Sequence, residues 1–542
     1  MPPRKTTAGR SKTAEPTVAS SKAQYEQELR ALAGKARTDG SSALARATAQ
    51  LRQVRNAITY LFFAGFFAHA SQLALAPVYG GIPAATHHLR VLAVAAFAGW
   101  AGNLFMADAL PGMGSWALLV AFENMAREYV LRFAGRPGSA PVVTFALTRV
   151  GMQLSLGGLM AALAPSAWLL LAAPALLHTV WLNPHMPTRH AASALNATLQ
   201  AHDWLLVDRA ESNTGYVSVL QSLQGGFRVL RCDHSLLGGE YTDPSVAGGI
   251  VAEPIYGVFA MLEAVRLIET EKTVPDAEAT ALVIGLGIGT TPSALVAHGI
   301  DTTVVEIDPV VHAFAKKYFQ LAENNEPVLA DAGRYAKKLA DAEDGARFDY
   351  IVHDVFTGGA EPVDLFTLEF LQRLHTLLKP HGAIAIKAFE TLTRRPPRAQ
   401  NYAGDLALPG PRAIVRTVRA VFPACRIFRE FPPDEAGIAA HGGSDFTNMV
   451  IFCKKAAAPA ALTFRAATDA DRLNSFARRE FLEPTHEVRA EDFLAAADED
   501  EDGVLLLRAN ETEVVTKSHR TSARGHWSIM RTVLPGVVWE KW

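Results

Sequence analysis

An apolar strand that runs straight into alternating glycines leaves a chain few folds to choose from. Ala281-Leu-Val-Ile-Gly-Leu-Gly-Ile-Gly-Thr is such a run, and a helical segment follows it. Gly285, Gly287 and Gly289 permit a tight turn and a close backbone approach to a ligand. The helix start adds unsatisfied N–H groups and a partial positive charge. Downstream, strand and helix patterns alternate. Strands are expected at 281–286, 302–306, 327–330, 348–353, 382–388, 425–431 and 446–453, with helices at 292–299, 309–320, 332–342, 364–378 and 411–421. That order predicts an α/β fold: a seven-stranded, doubly wound, mostly parallel sheet covered on both faces.

Acidic residues close the expected strands. Glu306 ends the second, in Thr303-Val-Val-Glu-Ile-Asp-Pro, where a carboxylate can accept both hydroxyl protons of a ribose. Asp331 ends the third beside Ala332, a carboxylate and backbone N–H suited to the edge of an adenine. Asp354 ends the fourth, in Phe348-Asp-Tyr-Ile-Val-His-Asp-Val-Phe-Thr. Open α/β sheets bind ligands at these carboxyl ends. A dinucleotide fingerprint would need glycine at position 290, which is Thr. G-x-G-x-G with acids on the following strands looks like a class I S-adenosylmethionine-dependent methyltransferase.

The rest of the chain divides by texture. Residues 1–56 hold eleven Lys/Arg against four Asp/Glu and little apolar surface, so a disordered basic tail is expected. Between Arg55 and Arg90 lie 34 residues with no Asp, Glu, Lys or Arg, and after Arg149 come 39 more. About 20 helical residues cross a ~30 Å hydrocarbon layer. Residues 57–79, 89–108, 141–163 and 166–183 are therefore expected as four membrane spans within 57–185, with 112–122 too brief to cross and Arg149 snorkelling to an interface. The positive-inside rule then places the N-terminus and everything beyond residue 200 on the cytoplasmic side, in a membrane the sequence does not name. Residues 200–250 alternate as a small antiparallel β subdomain. An α/β domain is expected over 251–455, opening with a helix at 251–270 and carrying a long loop at 391–410 that could serve as a lid. An extension of uncertain order, 456–542, follows.

Composition removes some alternatives. Lys+Arg total 52 and Asp+Glu 54, so no basic excess draws the chain to nucleic acid. Cys232, Cys425 and Cys453 are far apart and form no Cys/His grouping, which argues against a disulfide framework and a structural zinc site.

Several stretches resemble the spermidine/spermine synthase family in order and spacing over about residues 203–455. They are Glu211-Ser-Asn-Thr-Gly-Tyr, Arg228-Val-Leu-Arg-Cys-Asp-His, Glu253-Pro-Ile-Tyr, Glu306-Ile-Asp-Pro, Asp331-Ala, and Asp354 through Leu365-Phe-Thr-Leu-Glu-Phe. With the hydrophobic N-terminal third, the chain looks like a membrane-linked, divergent member. The resemblance implies a methyltransferase-like Rossmann fold that binds S-adenosylmethionine or its decarboxylated form, without a metal. It implies that Gly285, Gly287 and Gly289 line the cofactor's methionine-derived arm, Glu306 its ribose and Asp331 with Ala332 its adenine. Asp354 would sit near the sulfonium and Tyr256 would face the acceptor pocket.

Three positions depart from the family. Ile288 stands where polyamine synthases usually carry Asp, Thr357 replaces a second Asp, and Gly257 replaces a His. A cationic diamine needs carboxylates to replace its lost hydration. The family resemblance implies aminopropyl transfer to a small-molecule amine. The departures point to methyl transfer onto another nucleophilic acceptor, or to a non-catalytic, membrane-tethered cofactor-binding module. His353 and His234 are candidate bases. The lipid bilayer is a further expected partner, and a homo-oligomer stays open.

Overall fold

A computed structural model describes chiefly residues 43–79, 87–94, 112–133, 140–163, 188–243, 249–343, 345–355, 362–392, 409–433, 445–456, 462–489, 506–512 and 530–541. Two antiparallel and parallel systems carry the molecule. Strands β1 (Trp204–Glu211), β2 (Tyr216–Ser222), β3 (Phe227–Cys232) and β4 (Ser235–Tyr241) form a four-stranded antiparallel sheet in sequence order. The main sheet contains β5 (Thr280–Ile284), β6 (Asp301–Glu306), β7 (Val328–Leu329), β8 (Phe348–His353), β9 (Leu378–Leu392), β10 (Ala424–Arg429), β11 (Asp445–Lys454) and β12 (His486–Val488). Their spatial order is β12-β10-β11-β9-β8-β5-β6-β7.

The seven strands expected from sequence are present, and an eighth, β12, pairs with the edge of β10. β5 to β9 pair in parallel, while β9, β11, β10 and β12 pair antiparallel, so the sheet is mixed. The strand order reverses between neighbouring β5 and β8, so the bend after β5 opens at the point where the winding changes direction. The buried aliphatic run Leu282, Val283 and Ile284 of β5 suits a strand covered on both faces. The helix expected over 251–270 is shorter: an α-helix Gly257–Leu262 continues as a 3₁₀ turn Glu263–Leu267.

Cys425 and Cys453 face each other across β10 and β11, and they are bridged. This corrects the expectation from cysteine spacing, which cannot see a register that brings residues 28 apart together.

The four-span membrane bundle also needs correction. Among the described residues one stretch, Val54–Ala74 within the helix Ala43–Tyr79, is long and apolar enough to cross a membrane by length and composition. The expected span 141–163 is two pieces, Pro141–Ala146 and Arg149–Leu163. Thr148 breaks it: its Oγ1 donates to Phe145 O (2.7 Å) and accepts from Gly151 N (3.0 Å). The second piece has 15 residues, about 22 Å of helix, short of a ~30 Å core. Arg149 does not snorkel. It is buried against the small sheet, 3.5 Å from Glu211 and 3.4 Å from Asp233. The run 112–122 continues as the helix Gly112–Phe133 through a buried Glu123. Most of the expected spans 89–108 and 166–183, and of the loop 391–410, lie outside the described residues.

Candidate active site

The bend after β5 needs its glycines. Gly285, Gly287 and Gly289 take φ of +87°, +56° and +88°, in the left-handed region that side chains strain to enter. Space excludes side chains as well. A Cβ would lie 2.0 Å from Asp354 O at Gly285, 2.5 Å from Leu237 O at Gly287, and 2.4 Å from Leu321 Cδ1 at Gly289. The bend is thus pressed between the end of β8, the β4 strand of the small sheet and the segment after β6. The helix Thr290–Ala297 starts directly from it.

Glu306 turns toward this bend. Its Oε2 accepts from Leu286 N (2.9 Å) and its Oε1 from Asp308 N (2.8 Å). Each oxygen keeps a second lone pair. Burial pushes the carboxyl up to about 7, opposed by those N–H donors. Asp308, fully buried, caps the helix Pro309–Tyr318 through Val310 N (2.8 Å) and Val311 N (3.2 Å). It also accepts from the Ser212 and Thr214 hydroxyls and from Thr214 N (3.1 Å). Two sequence stretches nearly a hundred residues apart therefore meet in one carboxylate.

Asp331 and Ala332 lie at the end of β7, two strands from the bend. Asp331 is exposed and caps the helix Ala332–Ala340, accepting from Arg334 N at 2.8 Å. Asp354 follows β8, and its backbone N donates to Ile284 O at 2.8 Å. Its carboxylate is ion-paired with Lys387 Nζ of β9, at 2.8 Å. Tyr256 stands before the helix Gly257–Leu262 with its ring edge-on to Phe259, centroids 6.2 Å apart. Its hydroxyl is buried without a hydrogen-bond partner among the described residues. Burial and then the nearby Glu430 carboxylate hold the phenol above its ordinary pKa.

Neither candidate histidine base faces this space. His353 is fully buried, its ring 4.9 Å from Phe366 and 5.9 Å from Phe370, and burial lowers its pKa to about 4. His234 is in the β3–β4 turn, edge-on to Trp527 and stacked on Trp539.

Two departures now have physical causes. Ile288 is 4% exposed and packs with Val217, Val219 and Leu230 of the small sheet, so it is core. A Cβ on Gly257 would lie 2.5 Å from the Phe481 ring, which fills the space a histidine would take. Thr357 lies outside the described residues.

Three side chains at this site escaped the sequence reading: Lys387, Glu430 and Phe481. Glu430, just past β10, accepts from Val258 N (3.0 Å) and from Asn448 Nδ2. Phe481 meets Phe431 edge-on at 5.5 Å. Lys387 carried a usable signal, as the one charge in the buried run Ala383-Ile-Ala-Ile-Lys. Glu430 and Phe481 carried none, because only the tertiary fold brings them to Tyr256 and Gly257.

Comparison with known proteins agrees with this geometry. Residues 269–401 match the family model for the spermine/spermidine synthase domain. An N-terminal histidine N-methyltransferase of Emericella nidulans is 46% identical over 444 residues, covering 81% of this chain and 75% of its own. A polyamine aminopropyltransferase of Vibrio vulnificus is 38% identical, but over 20% of this chain and 38% of its own. The residues present suit an S-adenosyl ligand. The bend is closed to any Cβ, and the Glu306 carboxylate beside it retains acceptor capacity for ribose hydroxyls. Among the described residues no His, Cys, Asp and Glu cluster is built to hold a metal. The chain belongs to the same family as the Emericella enzyme, and it is an S-adenosylmethionine-dependent methyltransferase.

Proposed function

We propose that this methyltransferase acts on a nitrogen of an N-terminal histidine in a peptide or protein. The observation that carries the reading is the 46% identity shared with an N-terminal histidine N-methyltransferase over most of both chains. The acceptor side of the site supports it. A diamine would need carboxylates free to replace its hydration. Here Ile288 is core, Gly257 is covered by an aromatic ring, and Asp354 already holds a lysine. Aminopropyl transfer, the activity the family resemblance implies, is supported by the domain match and by a polyamine aminopropyltransferase that is alike over 20% of this chain.

Bound S-adenosylmethionine supplies an electrophilic methyl group on a sulfonium. The chain's own residues do the rest by positioning. The glycine bend and Glu306 would hold the adenosyl and methionine parts. Asp354, fixed by Lys387, closes the bend where β8 ends. Tyr256, whose hydroxyl has no hydrogen-bond partner among the described residues, and the Phe481 ring over the adjacent Gly257 would offer aromatic surface to a planar ring. The acceptor nitrogen loses one proton over the cycle. Glu430 and Tyr256 are the polar groups placed to receive its N–H.

The test uses the full chain, S-adenosylmethionine and three synthetic peptides, read by mass spectrometry. One begins with His, one carries the same His after an added residue, and one begins with Ala. Mass gain of one methyl on the first peptide alone is expected. Equal methylation of the second peptide would reject the N-terminal requirement.

A further inference from the structure

Lys387 is a buried primary amine inside a methyltransferase site. Its Nζ lies 2.8 Å from Asp354 Oδ1 and 4.3 Å from the centre of the Phe259 ring. Both charged side chains are nearly sealed, 5% and 9% exposed. Its charge also opposes the rise that burial imposes on the Glu430 carboxyl. An ammonium on an alkyl stem, laid over an aromatic face and paired with a buried carboxylate, is the setting a protein builds to bind an alkylammonium ligand. In this chain the ammonium belongs to the protein.

The position follows from the sheet. His353 of β8 pairs with Ile386 of β9, so the next residues, Asp354 and Lys387, leave the parallel pair at one level. Asp354 is also the residue whose carbonyl closes on Gly285. Without Lys387, a buried carboxylate would stand bare beside the cofactor bend and attract any protonated amine. With it, that carboxylate is neutralised, and a second ammonium would meet a like charge in a site that screens little.

We propose that Lys387 determines acceptor charge: its ammonium occupies the cation place at Asp354, so that the site rejects protonated alkylamines and takes an uncharged nucleophilic nitrogen. The inference uses the methyl-transfer reading only for the existence of an acceptor, and its test measures binding rather than turnover.

The full chain, saturated with S-adenosylhomocysteine, is titrated calorimetrically with 1,4-diaminobutane. The wild type and Lys387→Arg are expected to give no binding at millimolar ligand. Lys387→Met is expected to bind the diamine about tenfold or more tightly than the wild type, and adding Asp354→Asn to it should abolish that gain. A folded Lys387→Met as silent as the wild type overturns the proposal, as does a wild type that binds the diamine equally well. If Lys387→Met does not fold, Lys387→Ala is purified with n-propylammonium or with tetramethylammonium. Recovery of folded protein with the first ion only supports the assignment, and no recovery with either overturns it. Failure of the peptide assay with these binding results intact would reject the histidine acceptor and leave Lys387's role standing.

Discussion

Glu306 is buried, hydrogen-bonded by two backbone N–H groups, and pushed up to about 7. A raised acid is neutral when pH falls below that value. Its ionised form therefore costs the ligand-free protein stability as pH rises through about 7. A ribose diol donates protons, so it prefers the carboxylate. Affinity for S-adenosylmethionine is accordingly expected to strengthen from pH 6 to pH 8 by several-fold, with up to about one proton released on binding at the acid end. Calorimetry in two buffers of different ionisation enthalpy reads both. Glu306→Gln should bind weakly and lose the pH dependence. If its affinity keeps the wild-type slope, Glu306 is not the group that titrates. The acid at a strand end was legible from the sequence, and so was its neighbourhood to the bend. Its elevated pKa was not, because that depends on how tightly Asp308, Leu286 and the small sheet close over it.

Among the elements, the strands were the legible part. β-Branched runs with Gly or Asp at their ends located seven strands closely, since burial on both faces leaves an unbroken apolar signal. The helix ends in the N-terminal third were less legible than the strands. Hydropathy windows do not see the break at Thr148, and Arg149 is placed only by its partners Glu211 and Asp233. β12 and the helix Phe476–Phe481 were missed because three and six residues show no periodicity. That short helix is nevertheless anchored by a fully buried pair, Arg478 to Glu263, at 2.8 and 2.7 Å. Arg478→Met should leave Glu263 buried and unpaired, costing about 3–5 kcal/mol in denaturant unfolding. The double change with Glu263→Met should recover much of that loss. If the single and double variants are equally unstable, the pair is not what holds the helix.

At the scale of the whole molecule, the region beyond residue 455 is part of the catalytic unit's core. Phe464 packs its ring against Phe428 and Phe452 of the main sheet, and Arg465 N donates to Leu267 O at 2.8 Å. Leu507 lies in the main core, its N donating to Thr417 Oγ1. Trp539 and Val538 complete the core of the small sheet, beside Leu220 and Val229. The Phe481 ring packs over Gly257. A fragment cut at the limits the strand pattern suggests, 200–455, would expose all of these faces. Apolar burial contributes about 25 cal/mol per Å², and several large aromatic contacts outweigh the margin that keeps a domain folded. That fragment should therefore be insoluble, or bind a dye for exposed apolar surface and lack a sharp thermal transition. A fragment spanning 140–542, which keeps Arg149 with Glu211 and Asp233, should melt cooperatively and bind S-adenosylmethionine like the full chain. Cooperative melting of 200–455 within a few degrees of the longer fragment would show that the C-terminal region is an accessory. The Phe481 ring and the Arg478 anchor would then lose their place in the account of acceptor choice.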